Sequence, residues 1–358
     1  MTSTTAGRPV QLAVGLTDRH VLELLGDQTL LERFNFAALS FAIVGTNRLA
    51  NYPTTDAHTE PAQLDTGLLT ATLKQRARSL RLIAAATIQR DHPYSLARRI
   101  ASLDVLAGGR TGLLLDSEDA ALVKQATAAA SQPRSDASAN SATPVAWQGI
   151  DGQVDIPLSV ETVVDAAEAI VQLWQSWPRE SIIADKEAGV YTQANRIRNV
   201  EHEGVYRIHG PISVPTSAQQ TPVLAGLVST VGEHTAPGLF DLLLASEREA
   251  TSHSSAEESL PSTPVFEVLP AGYGRTTVAA ARAAIDRGRQ GLVVTPSEGR
   301  TGLIGLLDDT LPALAEAGID GGSIPSQTLR ATLGIPFQPD RLVGKPSAFA
   351  APAVQSRL

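Results

Sequence analysis

The chain has 358 residues, with 29 Lys and Arg against 37 Asp and Glu, 43% hydrophobic residues, no cysteine and one methionine. That apolar share excludes wholesale disorder, and a net charge of −8 argues against a nucleic-acid binder, which needs a concentrated basic face. The missing thiols exclude disulfides, thiolate zinc, iron–sulfur clusters and cysteine nucleophiles.

In chain order, short apolar runs bounded by turn residues alternate with helical patterns. Residues 10–16 read as the first strand and 36–44 as the second. Between the second and third strands, 62–78 reads as a helix. Leu64, Leu68, Leu69 and Leu73 share one face, and Lys74, Arg76 and Arg78 fall late, where cations suit the helix dipole. Residues 80–87 form the third strand. Pro93 then opens a helix striped by Leu96, Ile100, Leu103 and Leu106 until Gly108 and Gly109 stop it. Asp104 and Arg110, at the end of that helix, are expected to pair structurally. The fourth strand is 111–115.

Residues 131–146 change to Ser, Ala, Pro, Asn and Thr without periodicity, and 131–158 is expected to be a flexible insertion. A helix over 160–177 places Val163, Val164, Ala167, Ile170, Val171 and Trp174 inward. A second insertion, 178–220, carries an expected hairpin around 204–210. Strands five to eight follow at 222–228, 239–245, 265–269 and 292–295. Residues 247–262 are polar and loop-like. Helices are expected over 276–287 and 303–317, and a C-terminal tail over 340–358.

Eight continuously apolar strands with intervening helices suit parallel strands buried on both faces. A (β/α)₈ TIM barrel with insertions, forming a single domain over 1–358, is the economical fold, and such barrels run from about 200 to over 400 residues. A doubly wound sheet is the alternative, but no G-x-G-x-x-G follows the first strand. No run of about 18 apolar residues is present, and the opening MTSTTAGRPV shows no basic segment leading into an apolar one. A cytoplasmic protein without a membrane or nucleic-acid partner is expected.

In a barrel the chemistry lies past the carboxyl ends of the strands. No H-x-H, H-E-x-x-H or clustered acid set marks a metal site there, and no G-x-S-x-G elbow is present. The strand-five exit, Gly226-Leu227-Val228-Ser229-Thr230-Val231-Gly232, offers hydroxyls and backbone N–H groups to a phosphate. On pattern alone an ordinary helix cap is the preferred reading of Ser229 and Thr230. Likewise His92, in Asp91-His92-Pro93-Tyr94, reads as a helix start on pattern alone.

Several segments together resemble one family. They are His92-Pro93-Tyr94-Ser95-Leu96-Ala97-Arg98 with Ala101-Ser102-Leu103-Asp104-Val105-Leu106-Ala107-Gly108-Gly109-Arg110, and Leu173-Trp174-Gln175-Ser176-Trp177. To these add His202-Glu203-Gly204-Val205-Tyr206-Arg207-Ile208-His209-Gly210-Pro211 and Thr328-Leu329-Arg330-Ala331-Thr332-Leu333-Gly334. In this order they are similar to the bacterial-luciferase-like, FMN-dependent two-component monooxygenases of the nitrilotriacetate and dibenzothiophene-sulfone type.

That resemblance implies a luciferase-like barrel that takes reduced FMN from a separate NAD(P)H:flavin reductase. It also implies reaction with O₂ to a flavin C4a-hydroperoxide and oxidation of a small organic substrate, in a homo-dimer or tetramer. Thr87 is the expected ring-contact hydroxyl, Ser229 and Thr230 the expected phosphate contacts, and His92 the candidate general acid/base or substrate contact. Four positions depart from the family pattern: Ile43, Leu114, Ile156 and Val160 stand where polar flavin contacts are usual. Each lost hydrogen bond forfeits about 0.5–1.5 kcal/mol. A non-catalytic relative acting as a binding or subunit-pairing protein is the alternative reading.

Overall fold

Strands with both faces apolar can satisfy themselves only inside a covered parallel sheet, and that is where these eight lie in the computed structural model. The structure describes residues 10–53, 60–130, 157–232, 238–247, 249, 263–272, 274–321 and 327–350. The 131–158 insertion falls almost wholly outside the described residues, as do Ile156 and most of 247–262.

The barrel strands are β1 (Gln11–Leu16), β2 (Phe41–Val44), β3 (Leu82–Thr87), β4 (Thr111–Asp116), β9 (Val223–Leu227), β10 (Leu242–Ala245), β11 (Val265–Pro270) and β12 (Gly291–Thr295). They close in the order β1-β12-β11-β10-β9-β4-β3-β2, all parallel. Alternate residues point inward, so Ala13, Ile43, Ile83, Ala85, Leu114, Ala225, Leu244 and Val293 fill the interior while their neighbours pack under the helices.

Four short strands stand outside the barrel as two antiparallel hairpins, β5 (Ile182–Asp185) with β6 (Val190–Thr192) and β7 (Glu201–Glu203) with β8 (Arg207–His209). The second is the hairpin expected near 204–210.

Three elements differ from the sequence reading. The second strand starts at Phe41 rather than 36, because α1 (Asp18–Gly26) and α2 (Gln28–Asn35) occupy the connection and Phe36, capping α2, is 83% exposed. A helix α5 (Ala120–Ala130) follows β4. The helix expected over 276–287 is present as α8 (Gly274–Asp286). The single helix expected over 303–317 is instead α9 (Gly299–Gly305), a π-helical turn (Leu306–Thr310) and α10 (Leu311–Glu316). Pro312 has no N–H to give the carbonyl four residues back, so the ladder slips just before it. The helices that border the site are α3 (Thr66–Arg76), α4 (Pro93–Leu106), α6 (Val160–Ser176) and the four-residue α7 (Val228–Val231). No helix among the described residues is long and apolar enough to cross a membrane.

Candidate active site

The inward period that puts Ile83 and Ala85 into the barrel carries Thr87 to its mouth, and the same period on β4 carries Leu114 and then Asp116. Thr87 and Asp116 face each other across the strand pair. Thr87 is fully buried, and its Oγ1 has no hydrogen-bond partner among the described residues. Asp116 is also fully buried. Its Oδ1 accepts from Thr230 Oγ1 at 2.5 Å and from Ser117 N at 2.7 Å, and Asn51 approaches at 3.3–3.4 Å. Burial pushes the Asp116 carboxyl above its ordinary range, against those hydrogen bonds.

Thr230 is therefore tied through the Asp116 carboxyl to the β4 exit, beside the unpaired Thr87 hydroxyl. Thr230 does not cap α7: that helix has Leu227 at its N-cap and no side-chain cap bond. Ser229 is exposed beside it.

Across the mouth, Tyr52 is 4% exposed and its hydroxyl faces Thr295. Burial raises that hydroxyl's pKa. The ring lies so close to β1 that a Cβ on Gly15 would fall 2.5 Å from Tyr52 Oη, so glycine is needed at that position. The exits of β2 and β4 are tied by Asp119, which is 1% exposed and takes Arg48 at 3.0 Å and Arg90 at 2.5 Å. Asn47 similarly holds the β1 exit, donating to Asp18 at 2.8 Å. His20 is buried as part of a capping box with Thr17, and its Nε2 meets the Ser297 carbonyl at 2.9 Å. It is a structural histidine.

On the rim, His92 is the N-cap of α4, accepting from Tyr94 N at 3.2 Å. Its ring meets Tyr206 edge-on, centroids 5.4 Å apart at 87°, and partial burial lowers its pKa. Tyr206 is brought there by the β7–β8 hairpin. Asp165 on α6 accepts from Tyr206 N at 2.9 Å and meets His202 Nε2 at 3.0 Å. Burial works to raise the Asp165 carboxyl, but His202 and the Tyr206 N–H outweigh it and hold it below the ordinary range. A Cβ at Gly204 would sit 1.7 Å from Asp165 Oδ1, so glycine alone permits this docking. Tyr206 Oη is buried with no hydrogen-bond partner among the described residues.

Ile43 and Leu114 are 1% and 0% exposed within the barrel interior. Val160 is half-buried at the first position of α6, and Ile156 lies outside the described residues. Among the described residues no group of three His, Asp or Glu side chains is placed to hold a metal. Sequence reasoning missed Asn51, Tyr52 and the Asp165–His202–Tyr206 group. The available signal for Tyr52 was a rare aromatic beside a proline, in a chain with only 4% aromatic residues.

No family model matches the chain. Over 138 residues, 38% of this chain, it is 30% identical to dibenzothiophene-sulfone monooxygenase of Rhodococcus erythropolis. That match spans 26% of the relative, about a quarter of its length. Over 277 residues, 76% of this chain and 78% of the relative, it is 26% identical to one of the subunits of pristinamycin IIA synthase from Streptomyces pristinaespiralis. Superposition on DmoA of Hyphomicrobium sulfonivorans gives a TM-score of 0.67 over 97% of this chain and 100% of that one, at 16% identity. Over these stretches the chain is similar to monooxygenases of the luciferase-like type. The superposition on DmoA shows a shared fold, which in this chain is a closed parallel barrel.

Proposed function

We propose that the barrel mouth binds reduced FMN, supplied by an NAD(P)H:flavin reductase, and uses O₂ to oxidise a small organic substrate in a homo-oligomer. The observation that carries this reading is Thr87 Oγ1, a fully buried hydroxyl left without a partner at the carboxyl end of a barrel strand. Buried polar groups are almost always satisfied, so an orphan at that face calls for a ligand atom.

The residues present fit the ring better than the phosphate. Thr87 would hold a polar edge of the isoalloxazine, and the aliphatic side chains of Ile43 and Leu114 floor a site from which water is excluded. For the phosphate, the Thr230 hydroxyl already donates its hydrogen bond to Asp116, leaving the exposed Ser229 hydroxyl. An ionised Asp116 would oppose an anion; burial shifts it toward its neutral form, which lessens that repulsion. Bound reduced FMN would supply the activation of O₂. His92 would contact the substrate or move a proton at its ring nitrogen, with Tyr206 closing that side of the rim. The relatives are monooxygenases, which favours this over a non-catalytic binding role.

The test is an anaerobic titration with FMN and its reduced form, followed by O₂ consumption with a flavin reductase present. Dissociation constants weaker than about 1 mM for both forms, equivalent to about −4.1 kcal/mol, together with no coupled turnover, would overturn the proposal.

A further inference from the structure

At the opposite end of the barrel, where α3 and α4 reach the starts of β3 and β4, a groove of about 600 Å³ opens between the helices. Leu103 and Leu106 form an apolar wall, Leu106 being 84% exposed, and Thr70 adds a hydroxyl. Lys74, Arg78 and Arg110 line the rest. None of these three cations pairs with a carboxylate among the described residues, although the chain carries a net charge of −8. Their hydrogen bonds go to backbone carbonyls instead: Lys74 Nζ donates to Arg78 O at 2.5 Å and to Leu80 O, and Arg110 Nη1 to Arg78 O at 3.3 Å. Arg110 Nε is buried with no partner among the described residues.

The charged groups facing Lys74 are Arg81 on the approach to β3, Arg110 before β4, Asp104 on α4 and its own neighbour Arg78. Asp104 does not neutralise the cluster. Its carboxyl is turned into a buried network with Thr111 N at 2.8 Å, Gln219 Nε2 at 2.7 Å and Ser217 Oγ. Burial first, then Arg110 and Arg81, bring the Lys74 ammonium down to about 7. Like charges crowded into a partly desolvated groove are a standing cost that a bound anion would remove. The volume falls within the range of about 300–1,000 Å³ typical of small-molecule sites.

We infer that this groove is a second binding site, remote from the barrel mouth, for a small organic oxyanion with a short apolar tail, of the fatty-carboxylate class. The head group lies against Lys74, Arg78 and Arg110, and the tail covers Leu103 and Leu106. An inorganic anion would meet only half of this surface and an uncharged chain only the other half. Binding draws a proton onto Lys74, because an anion beside it favours the charged amine.

The test is calorimetric titration of the whole protein at pH 8 with octanoate, acetate, inorganic phosphate and 1-octanol, each in buffers of low and high ionisation enthalpy. Octanoate is expected to bind at least about tenfold more tightly than the other three. It is also expected to take up more than roughly half a proton, since a lysine titrating near 7 is only about one-tenth charged at pH 8. Lys74→Met and Arg110→Gln should each weaken octanoate by about tenfold, the second keeping the Lys74 contacts that support the loop. Equal affinity for octanoate and 1-octanol, absence of proton uptake, unchanged affinity in both variants, or no octanoate binding would each overturn the inference. The outcome is independent of the flavin titration.

Discussion

The hydroxyl of Thr87 makes opposite demands on folding and on binding, and Thr87→Val separates them. In the folded chain this hydroxyl is fully buried and unpaired among the described residues, and leaving such a group unsatisfied costs about 1–3 kcal/mol. Valine keeps the branched shape and removes the polar atom, so the variant is expected to be more stable by about 1–3 kcal/mol. With about 2.1 cal/mol/K of unfolding entropy per residue, 358 residues convert that gain into a rise of about 1–4 °C in Tm. On the proposed reading the same change also removes one hydrogen bond to the flavin, worth about 0.5–1.5 kcal/mol, so the Kd for reduced FMN should rise about 2- to 13-fold. Urea denaturation and anaerobic fluorescence titration on one preparation measure both quantities. Destabilisation by about 1 kcal/mol or more would show that the hydroxyl supports the fold; an unchanged Kd for reduced FMN would show that it does not touch the ligand.

Three further outcomes follow from buried charges. Arg330 is 2% exposed and donates to both Asp241 oxygens, at 2.8 and 2.7 Å, and to the Thr221 and Pro336 carbonyls. Arg330→Met leaves that carboxylate buried without its cation and should cost about 3–5 kcal/mol in urea denaturation, a loss below about 1 kcal/mol counting against the pairing. Burial raises the Asp116 carboxyl above its ordinary value of 3.8, so the folded protein holds its proton longer than the unfolded chain. Stability attributable to this group therefore declines as pH climbs from 3.8 through the folded value. Asp116→Asn should flatten that decline and tighten FMN; an unaltered pH slope would contradict the shift. Burial lowers both His20 and His92 from 6.5, so the unfolded chain takes up protons first as pH falls below 6.5, and stability drops in that direction. His92→Gln should reduce the drop seen between about pH 7.5 and 5.

The barrel was legible because parallel strands buried on both faces need unbroken apolar runs, and each of the eight begins or ends within a few residues of its reading. The helices between β1 and β2 were not, since Asp27 ends one and caps the other, dividing the segment into pieces of nine and eight residues with no long stripe. Within the site, Thr87 was named through the resemblance alone, and the strand period carries it to the barrel mouth. Tyr52 follows an irregular turn after β2, where no period applies. The Asp165–His202 contact joins residues 37 positions apart and depends on a missing Cβ at Gly204.

The same distinction governs the acids and hydroxyls. Asp104 was expected to pair with Arg110 six positions away, but the fold delivers Gln219 from 115 positions away, and its carboxamide is the better partner because it satisfies Asp104 and the Thr111 carbonyl together, both at 2.7 Å. Arg110 is thereby left to the groove. Thr230 does not serve as the helix cap that local sequence suggested, and its hydroxyl meets Asp116 from 114 positions away. Local sequence fixes the backbone conformation that a hydroxyl or carboxylate can serve. Which buried group satisfies it depends on strands that approach only when the barrel closes, and at Thr87 none does among the described residues, so the proposed flavin site rests on that unpaired atom.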